Sequence, residues 1–292
     1  ADEGVSLLAA TLRELITSEG TIGLPMGPET ALRMSFNDFN RLSEALSPVR
    51  ITDASPIIVA LRMQKSEAEI NKIRHICSIM SGVFETLPEH LSIGMSDIDI
   101  FRTFKIEALK AGADDIAYLV GGTGAGGYGD IISPPSSRPS AVGDILILDT
   151  GATFDGYFCD FDRNYIFGDT TDAAKRAHDV VYRATEAGLA AARPGNTCAD
   201  LYNAMQRVMD AGGALGNDVG RLGHGLGMQL TEWPSNTPKD MTELKPGMVM
   251  TLEPGMTFAE GKVMVHEENI VIRDGEPELL SRRAPATMPV IR

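Results

Sequence analysis

The pattern of hydrophobic and polar positions predicts helices and short strands in alternation along the chain. Helices are predicted over residues 5–16, 31–46, 66–87, 95–111, 172–193 and 197–211. The third helix begins with a capping box, in which Ser66 and Glu69 satisfy each other's backbone donors. Pro194 and Gly195 separate the last two helices, because neither residue continues a helix well.

The strand signals lie between these helices and divide the chain into two parts. Extended segments are predicted over residues 21–24, 49–52, 57–61, 117–120, 144–149, 156–161, 249–253 and 262–273. Helix pairs that alternate with antiparallel strands indicate an α+β fold, in which helices cover one face of a curved sheet. We expect residues 1–62 to be a partial α/β domain, the remnant of a larger N-terminal domain, and residues 63–292 to form the main domain.

Composition and charge exclude several classes of protein. Lys and Arg number 26 and Asp and Glu 40, so the formal charge is −14 and a phosphate backbone would be repelled. Three scattered cysteines without a C-x-x-C pair indicate neither a disulfide framework nor a zinc knuckle. No apolar run of about 18 residues and no signal-peptide pattern is present. We therefore expect a cytoplasmic protein that binds neither nucleic acid nor membranes.

A glycine-rich segment, Gly122–Gly127, matches the G-x-G-x-x-G pattern of dinucleotide-binding loops. Such a loop must lead directly into a helix, whose N-terminus binds the pyrophosphate. The chain continues instead through Tyr128 and Gly129 to Pro134 and Pro135, a stretch that does not form that helix. We interpret the segment as a glycine-rich loop at a strand end.

Two aspartates lie on neighbouring strands of a predicted hairpin. Asp149 ends the apolar run 145–148, and Asp160 follows the turn signal Asp155-Gly156. The hairpin is expected to place Asp149 and Asp160 roughly opposite each other. Facing carboxylates repel unless a proton or a cation lies between them. By itself this pattern leaves open a metal site or two solvated turn aspartates.

Two further strands also bring acids into apolar surroundings. Glu253 ends the strand 249–253, Glu267 lies inside an apolar strand, and His224 stands among glycines. Burying a carboxylate without a partner is unfavourable, so acids on three apolar strands favour one shared explanation, a cation cluster. Four carboxylates and one imidazole suit a pair of Mn, Co, Fe or Zn ions, which lowers the pKa of a bound water.

These motifs resemble the pita-bread metallopeptidase family, which includes methionine aminopeptidase, aminopeptidase P, prolidase and creatinase. Asp149 and Asp160 are eleven residues apart, and His224 and Glu253 lie in the family's Gly-His-Gly-x-Gly and Glu-Pro-Gly contexts. The segment 61–70 resembles the interdomain link of the prolidase and aminopeptidase P branch. The resemblance extends over residues 57–275 and implies that residues 63–292 are a catalytic pita-bread domain.

The resemblance also implies roles for the acidic cluster. Two divalent ions would be held, with Asp160 and Glu267 bridging them, Asp149 chelating one ion, and His224 and Glu253 completing the other. Glu253 would in addition shuttle a proton. Members of this branch are commonly dimers, so a homodimer is implied as well.

The chain departs from the family around the substrate. The peptidases have histidines where Ile132 and Thr231 stand here, and an arginine where Val265 stands. Losing a general acid or an oxyanion donor typically lowers activity by ~10²–10³-fold or more. We therefore expect an altered pocket, with Thr231 and Glu232 as catalytic candidates beside Glu253. Tyr128 and Trp233 are further candidates for the lining.

The resemblance implies a dinuclear-metal-dependent hydrolase that uses a metal-bridging water to cleave a C–N bond. Xaa-Pro aminopeptidase or dipeptidase activity on small peptides is the first hypothesis. The missing histidines keep open a creatinase-like small-molecule hydrolase or lyase. A metal-binding pseudoenzyme is a third reading, although a purely binding cleft would not need to hold four carboxylates together.

Overall fold

The computed structural model describes residues 3–17, 19–216 and 220–292. The chain divides into two compact units, Ala1–Arg62 and Met63–Arg292. No helix in the described ranges is long and apolar enough to cross a membrane.

The described residues of the first unit form α1 (Val5–Leu15), β1 (Thr21–Leu24), α2 (Phe36–Leu46), β2 (Arg50–Asp53) and α3 (Ser55–Met63), whose last residue belongs to the second unit. Strands β1 and β2 pair in parallel, and Val5, Ala9, Leu42 and Leu46 form a small core. The prediction of an extended segment over 57–61 was wrong, because this stretch lies inside α3. Asp53 accepts a hydrogen bond from the Ser55 backbone N–H, and Pro56 occupies the first helical turn, where it is tolerated.

The second unit contains four long helices, α4 (Glu67–Thr86), α5 (Asp97–Ala111), α6 (Asp172–Ala191) and α7 (Cys198–Ala211). The predicted capping box of α4 is present, with the Ser66 hydroxyl and the Glu69 carboxylate bonded to each other's backbone N–H. A short 3₁₀ turn, Leu87–Glu89, follows α4. Helices α4 and α5 pack against the first strands of this unit, and α6 and α7 pack against each other.

The strands of the second unit are β3 (Asp115–Ala125), β4 (Asp144–Phe154), β5 (Tyr157–Phe167), β6 (His224–Gly225), β7 (Glu232–Ser235), β8 (Val249–Leu252), β9 (Gly255–Ala259), β10 (Lys262–Val265), β11 (Glu268–Val271), β12 (Glu278–Leu279) and β13 (Val290–Ile291). They form a four-stranded sheet in the order β13-β5-β4-β3, a five-stranded sheet in the order β12-β11-β8-β6-β7, and the pair β9 and β10. The single strand predicted over 262–273 is therefore two strands, which separate at His266 and Glu267.

The β4–β5 hairpin corrects the predicted pairing of the two aspartates. Asp155 and Gly156 form the turn, both with positive φ, and Asp149 lies opposite Asp162 rather than Asp160. Asp160 lies opposite Gly151. Side chains alternate along a strand, so this two-residue offset still leaves Asp149 and Asp160 on the same face of the sheet.

One asparagine joins the two larger sheets at this point. The Asn269 amide on β11 accepts a hydrogen bond from the Asp160 backbone N–H at 2.9 Å and donates one to the Asp160 carbonyl. Nearby, the Arg163 guanidinium donates to the Glu267 carbonyl at 2.9 Å. These bonds fix the backbone of both acids where the sheets meet.

Candidate metal centre

The structure brings together three of the five residues that the sequence singled out, and the charges of the other two, Asp149 and Glu253, act on them. Asp149 and Asp160 lie on the β4–β5 hairpin, and His224 lies on β6. Glu253 directly follows β8, and Glu267 lies between β10 and β11. One ligand atom from each of Asp160, His224 and Glu267 lies within 4.8 Å of the others. Five separate segments therefore deliver their polar groups to one cluster.

Hydrogen bonds of its own segment orient His224. Its Nδ1 lies 2.9 Å from the Gly225 carbonyl, which can only accept, so Nδ1 bears the proton. Nε2 then points its lone pair toward the cluster, 3.3 Å from Asp160 Oδ2. The preceding residue, Gly223, packs directly against the backbone of Thr251. A Cβ there would lie 2.2 Å from the Thr251 carbonyl oxygen, so only glycine fits.

The carboxylates of the cluster raise one another's proton affinity. Burial, followed by repulsion from Asp160, raises the pKa of Asp149 and of Glu267 well above the usual range. Burial also raises the pKa of Asp160. For Glu253, burial is the largest cause and raises the pKa to about 7. Each carboxylate is thus held in a place that disfavours its charge.

Two buried oxygens of this cluster have no hydrogen-bond partner among the described residues, namely Asp149 Oδ1 and Glu267 Oε1. Unpartnered buried acceptors are unfavourable, and a cation would relieve both these atoms and the mutual repulsion. The donor set, four carboxylates and one imidazole nitrogen, suits divalent transition metals. The residues present therefore fit a divalent metal site.

Tyr118 belongs to the same surroundings, although sequence reasoning did not single it out. It lies on β3 opposite Gly151, and its hydroxyl acts on the Asp149 carboxylate, where it opposes the rise in pKa that burial causes. Burial, and then the charges of Asp149 and Asp160, raise the pKa of Tyr118. Its hydroxyl therefore stays protonated as a donor at the edge of the cluster. The sequence held no direct signal for it, because only the β3–β4 register brings it there.

Asp162 is a second residue that sequence reasoning missed. It is buried directly opposite Asp149, and burial, followed by the charge of Asp149, raises its pKa. A signal did exist, because Asp160 and Asp162 are two residues apart on one strand and therefore share a face.

The positions expected to form the altered pocket have diverse surroundings. Glu232 is buried, with its carboxylate 3.0 Å from Lys65 Nζ and bonded to the Gln229 backbone N–H. The Thr231 hydroxyl accepts a hydrogen bond from Arg221 at 3.3 Å. Ile132 is exposed and its side chain has no polar atom, so this position offers no polar group to the cluster.

Tyr128 and Trp233, the other suggested lining residues, differ from each other. The Tyr128 hydroxyl is buried, donates to the Asn164 side chain and accepts from the Val265 backbone N–H. It therefore serves the packing of the interior. Trp233 follows Glu232 on β7 and is exposed.

Comparison with known proteins identifies the family of this chain. The model of metallopeptidase family M24 matches residues 71–274. The chain belongs to this family of metallopeptidases. The recognition of that family from the sequence and the pita-bread fold are thereby confirmed, and the relatives of the chain are named peptidases.

Individual relatives come from the dipeptidase and X-Pro peptidase branches. The probable dipeptidase PepE of Mycobacterium tuberculosis is 31% identical over 234 residues, which are 79% of this chain and 61% of the relative. The Xaa-Pro dipeptidase of Pyrococcus furiosus is 24% identical, over 95% of this chain and 76% of its own. The crystal structure of the X-Pro aminopeptidase of Thermotoga maritima superposes with a TM-score of 0.85 at 27% identity, covering 98% of this chain and 79% of that one. The chain thus spans less than two thirds of the PepE length.

Proposed function

We propose that this chain supplies the catalytic site of a hydrolase that uses two divalent metal ions to cleave the C–N bond of small Xaa-Pro peptides. The main observation is that ligand atoms of Asp160, His224 and Glu267 lie within 4.8 Å of one another. Two buried oxygens of the cluster also lack partners among the described residues. The names of the relatives, dipeptidase and X-Pro peptidase, support the substrate class.

The five clustered residues would hold the metal ions, as four oxygen ligands and one nitrogen ligand. Such ions, when bound, lower the pKa of a water ligand and polarise a carbonyl group. The Glu253 carboxylate is the proton carrier in this proposal, as the family resemblance implies, and its half-buried position leaves it within reach of a substrate. Tyr118 would hold Asp149 in position through its hydroxyl.

A second candidate is a small-molecule hydrolase or lyase of the creatinase type. The observation that favours it is the small number of histidines around the cluster in the described part of the chain. Among the described residues, His224 is the one histidine of the cluster, while His266 bonds Thr185 on α6 and Arg283. The positions of the peptidase histidines hold the exposed Ile132 and the Thr231 hydroxyl.

Metal content and a substrate screen together test the proposal. The purified chain is stripped with a chelator, reconstituted separately with Mn, Co, Zn or Fe, and compared with Asp160→Asn. Asp155→Asn, at the exposed hairpin turn, is the matched control. We expect two ions per wild-type and control chain, fewer in Asp160→Asn, and hydrolysis of Xaa-Pro dipeptides only by the first two proteins.

Two results would contradict the proposal in different ways. A wild-type chain that retains no ion after reconstitution with any of the four metals would end the metal hypothesis. A chain that binds two ions yet cleaves no Xaa-Pro dipeptide or tripeptide would end the peptidase hypothesis and favour the small-molecule candidate.

A further inference from the structure

Arg221 lies beside the cluster because the segment that bears it leads into His224 and is hydrogen-bonded to Glu253. It precedes His224 by three residues. The next residue, Leu222, accepts a hydrogen bond from the Glu253 backbone N–H at 3.1 Å, and its own N–H donates to Asn236 at 2.8 Å. The segment that bears Arg221 is therefore fixed beside both His224 and Glu253.

The loop that receives the Arg221 side chain covers the same cluster. Arg221 Nη2 donates to the Thr231 hydroxyl at 3.3 Å. The neighbouring Leu230 lies over Gly151, where a Cβ would come within 2.2 Å of Leu230 Cδ1, and Gly151 pairs with Asp160. The guanidinium is thus held between the covering loop and the carboxylates. Burial raises the pKa of Asp160 and of Glu253, and the positive charge of Arg221 opposes both rises.

Arg221 also keeps most of its hydrogen-bonding capacity. A guanidinium has five N–H donors, and in the described part of the chain only the bond to Thr231 engages them. The other cations near the site are committed elsewhere. Lys65 is paired with Glu232 at 3.0 Å, and Arg163 is paired with Glu268 at 3.0 Å. Among the described residues, Arg221 is therefore a cation beside the cluster that has donors left for a ligand.

An anionic group needs such a cation here. The chain has a formal charge of −14, so a free carboxylate would be repelled on approach. A guanidinium matches a carboxylate with two parallel hydrogen bonds, and a neighbouring hydroxyl adds a third donor.

We propose that Arg221, supported by Thr231, binds a carboxylate of the substrate and makes this site selective for anionic substrates. This inference rests on the proposed hydrolytic function. The carboxylate has two possible sources, an acidic side chain on the first residue or the terminal carboxylate of the substrate.

Paired substrates that differ only in charge separate the two sources. Glu-Pro is compared with Gln-Pro, and Ala-Pro with Ala-Pro-amide, using the metal-loaded chain. We expect wild type to favour the charged member of one pair through a lower KM. Arg221→Gln should raise KM for that member by roughly 10–100-fold and leave the neutral member almost unchanged. Arg221→Lys should lie between, because it keeps the charge and loses the planar fork.

Two controls separate substrate recognition from structure. Arg102→Gln removes the same charge from the exposed surface of α5 and should change neither KM nor kcat. Metal content is measured for every variant. Equal losses on charged and neutral substrates would overturn the proposal. So would a loss of metal from Arg221→Gln, because Arg221 would then serve only as a counter-charge for the cluster.

A binding measurement keeps the inference separate from the proposed function. If wild type cleaves no peptide, the metal-loaded proteins are titrated calorimetrically with L-glutamate against L-glutamine and with L-proline against L-prolinamide. Tighter binding of one acid by wild type, lost in Arg221→Gln, supports the anion site even though the peptidase hypothesis has failed. An absence of charge preference in wild type, or its retention in Arg221→Gln, overturns the anion site.

Discussion

Glu253 differs from the other three carboxylates of the cluster. Asp149, Asp160 and Glu267 are buried, whereas Glu253 is half-buried and its pKa is raised to about 7. This pKa describes the metal-free chain, because a bound cation favours the charged form of the carboxylate. Its partial exposure makes Glu253 the carboxylate of the cluster that a substrate can reach, as a general acid or base must.

Glu253→Gln tests that assignment, because it replaces one carboxylate oxygen with an amide nitrogen. The amide keeps the shape of the side chain and an oxygen ligand, but it cannot accept a proton. We expect kcat to fall by about 10²–10⁴-fold, the usual contribution of general acid–base catalysis. The exposed Glu243→Gln is the control and should match wild type. A Glu253→Gln variant with normal kcat and normal metal content would refute the role.

Tyr118 is expected to act through Asp149 rather than on the substrate. Tyr118→Phe removes the hydroxyl that acts on the Asp149 carboxylate. Loss of such a supporting hydrogen bond typically lowers metal affinity or activity by about 10–100-fold. Competition with a chelator measures the affinity. Tyr157→Phe, which loses a hydroxyl bonded to Glu69 at 2.9 Å, is the control, and equal effects of both variants would contradict the prediction.

At the scale of elements, the loop between β6 and β7 depends on a buried ion pair. Lys65, just before α4, reaches Glu232 at the start of β7, and Glu232 also accepts from the Gln229 backbone N–H. Gly227 allows this packing, since a Cβ there would lie 2.8 Å from Lys65 Cε and 2.9 Å from a Glu232 oxygen. The pair therefore braces the loop that holds Leu230 and Thr231 over the cluster.

Glu232→Gln distinguishes bracing from catalysis. Removal of the carboxylate leaves the buried Lys65 ammonium without this counter-charge, and we expect the free energy of unfolding to fall by roughly 3–5 kcal/mol. The double variant Lys65→Met, Glu232→Gln should recover part of that loss. Urea denaturation measures each value. The exposed pair of Lys175 and Asp169 provides the control, since Asp169→Asn should change stability by about 0–1 kcal/mol.

The outcome also bears on the expectation that Glu232 is catalytic. A stable Glu232→Gln variant with greatly lowered kcat would favour a chemical role. An unstable variant whose remaining folded fraction keeps its kcat would favour the brace.

At the scale of the whole molecule, the acidic cluster links stability to pH and metal. The folded chain raises the pKa values of Asp149, Asp160, Glu253 and Glu267 above their unfolded values. Within the affected pH range the folded state therefore binds more protons than the unfolded state. Stability must fall as pH rises through that range.

The metal-free protein should accordingly lose stability from about pH 4.5, the ordinary value of Glu253, through about pH 7, its value in the fold. Saturating divalent metal should flatten this fall, because ligands bind metal in their deprotonated form. Thermal unfolding of chelated and metal-loaded protein across this range measures both. Glu253→Gln should reduce the slope of the metal-free protein. A metal-free Tm that rises with pH would contradict the expectation.

Local sequence signals predicted much of the fold. The Ser66–Glu69 capping box begins α4 as expected, and Pro194-Gly195 lies between α6 and α7. The hairpin register was missed by two residues, although a two-residue turn at Asp155-Gly156 pairs Phe154 with Tyr157 and so sets Asp149 opposite Asp162. The turn fixes the register of the hairpin, and the prediction paired Asp149 with the nearer acid, Asp160, without using the turn.

The candidates for the centre were recognisable in the sequence, because a carboxylate on an apolar strand is unfavourable without a partner and this rule applies residue by residue. The surroundings of these residues follow from the folding of distant segments onto one another. Tyr118 reaches Asp149 through the register of β3, Arg221 reaches Thr231 across a loop, and Lys65 reaches Glu232 over 167 residues of sequence. Such contacts depend on strand pairing and chain crossing, which no local pattern of hydrophobic and polar residues encodes.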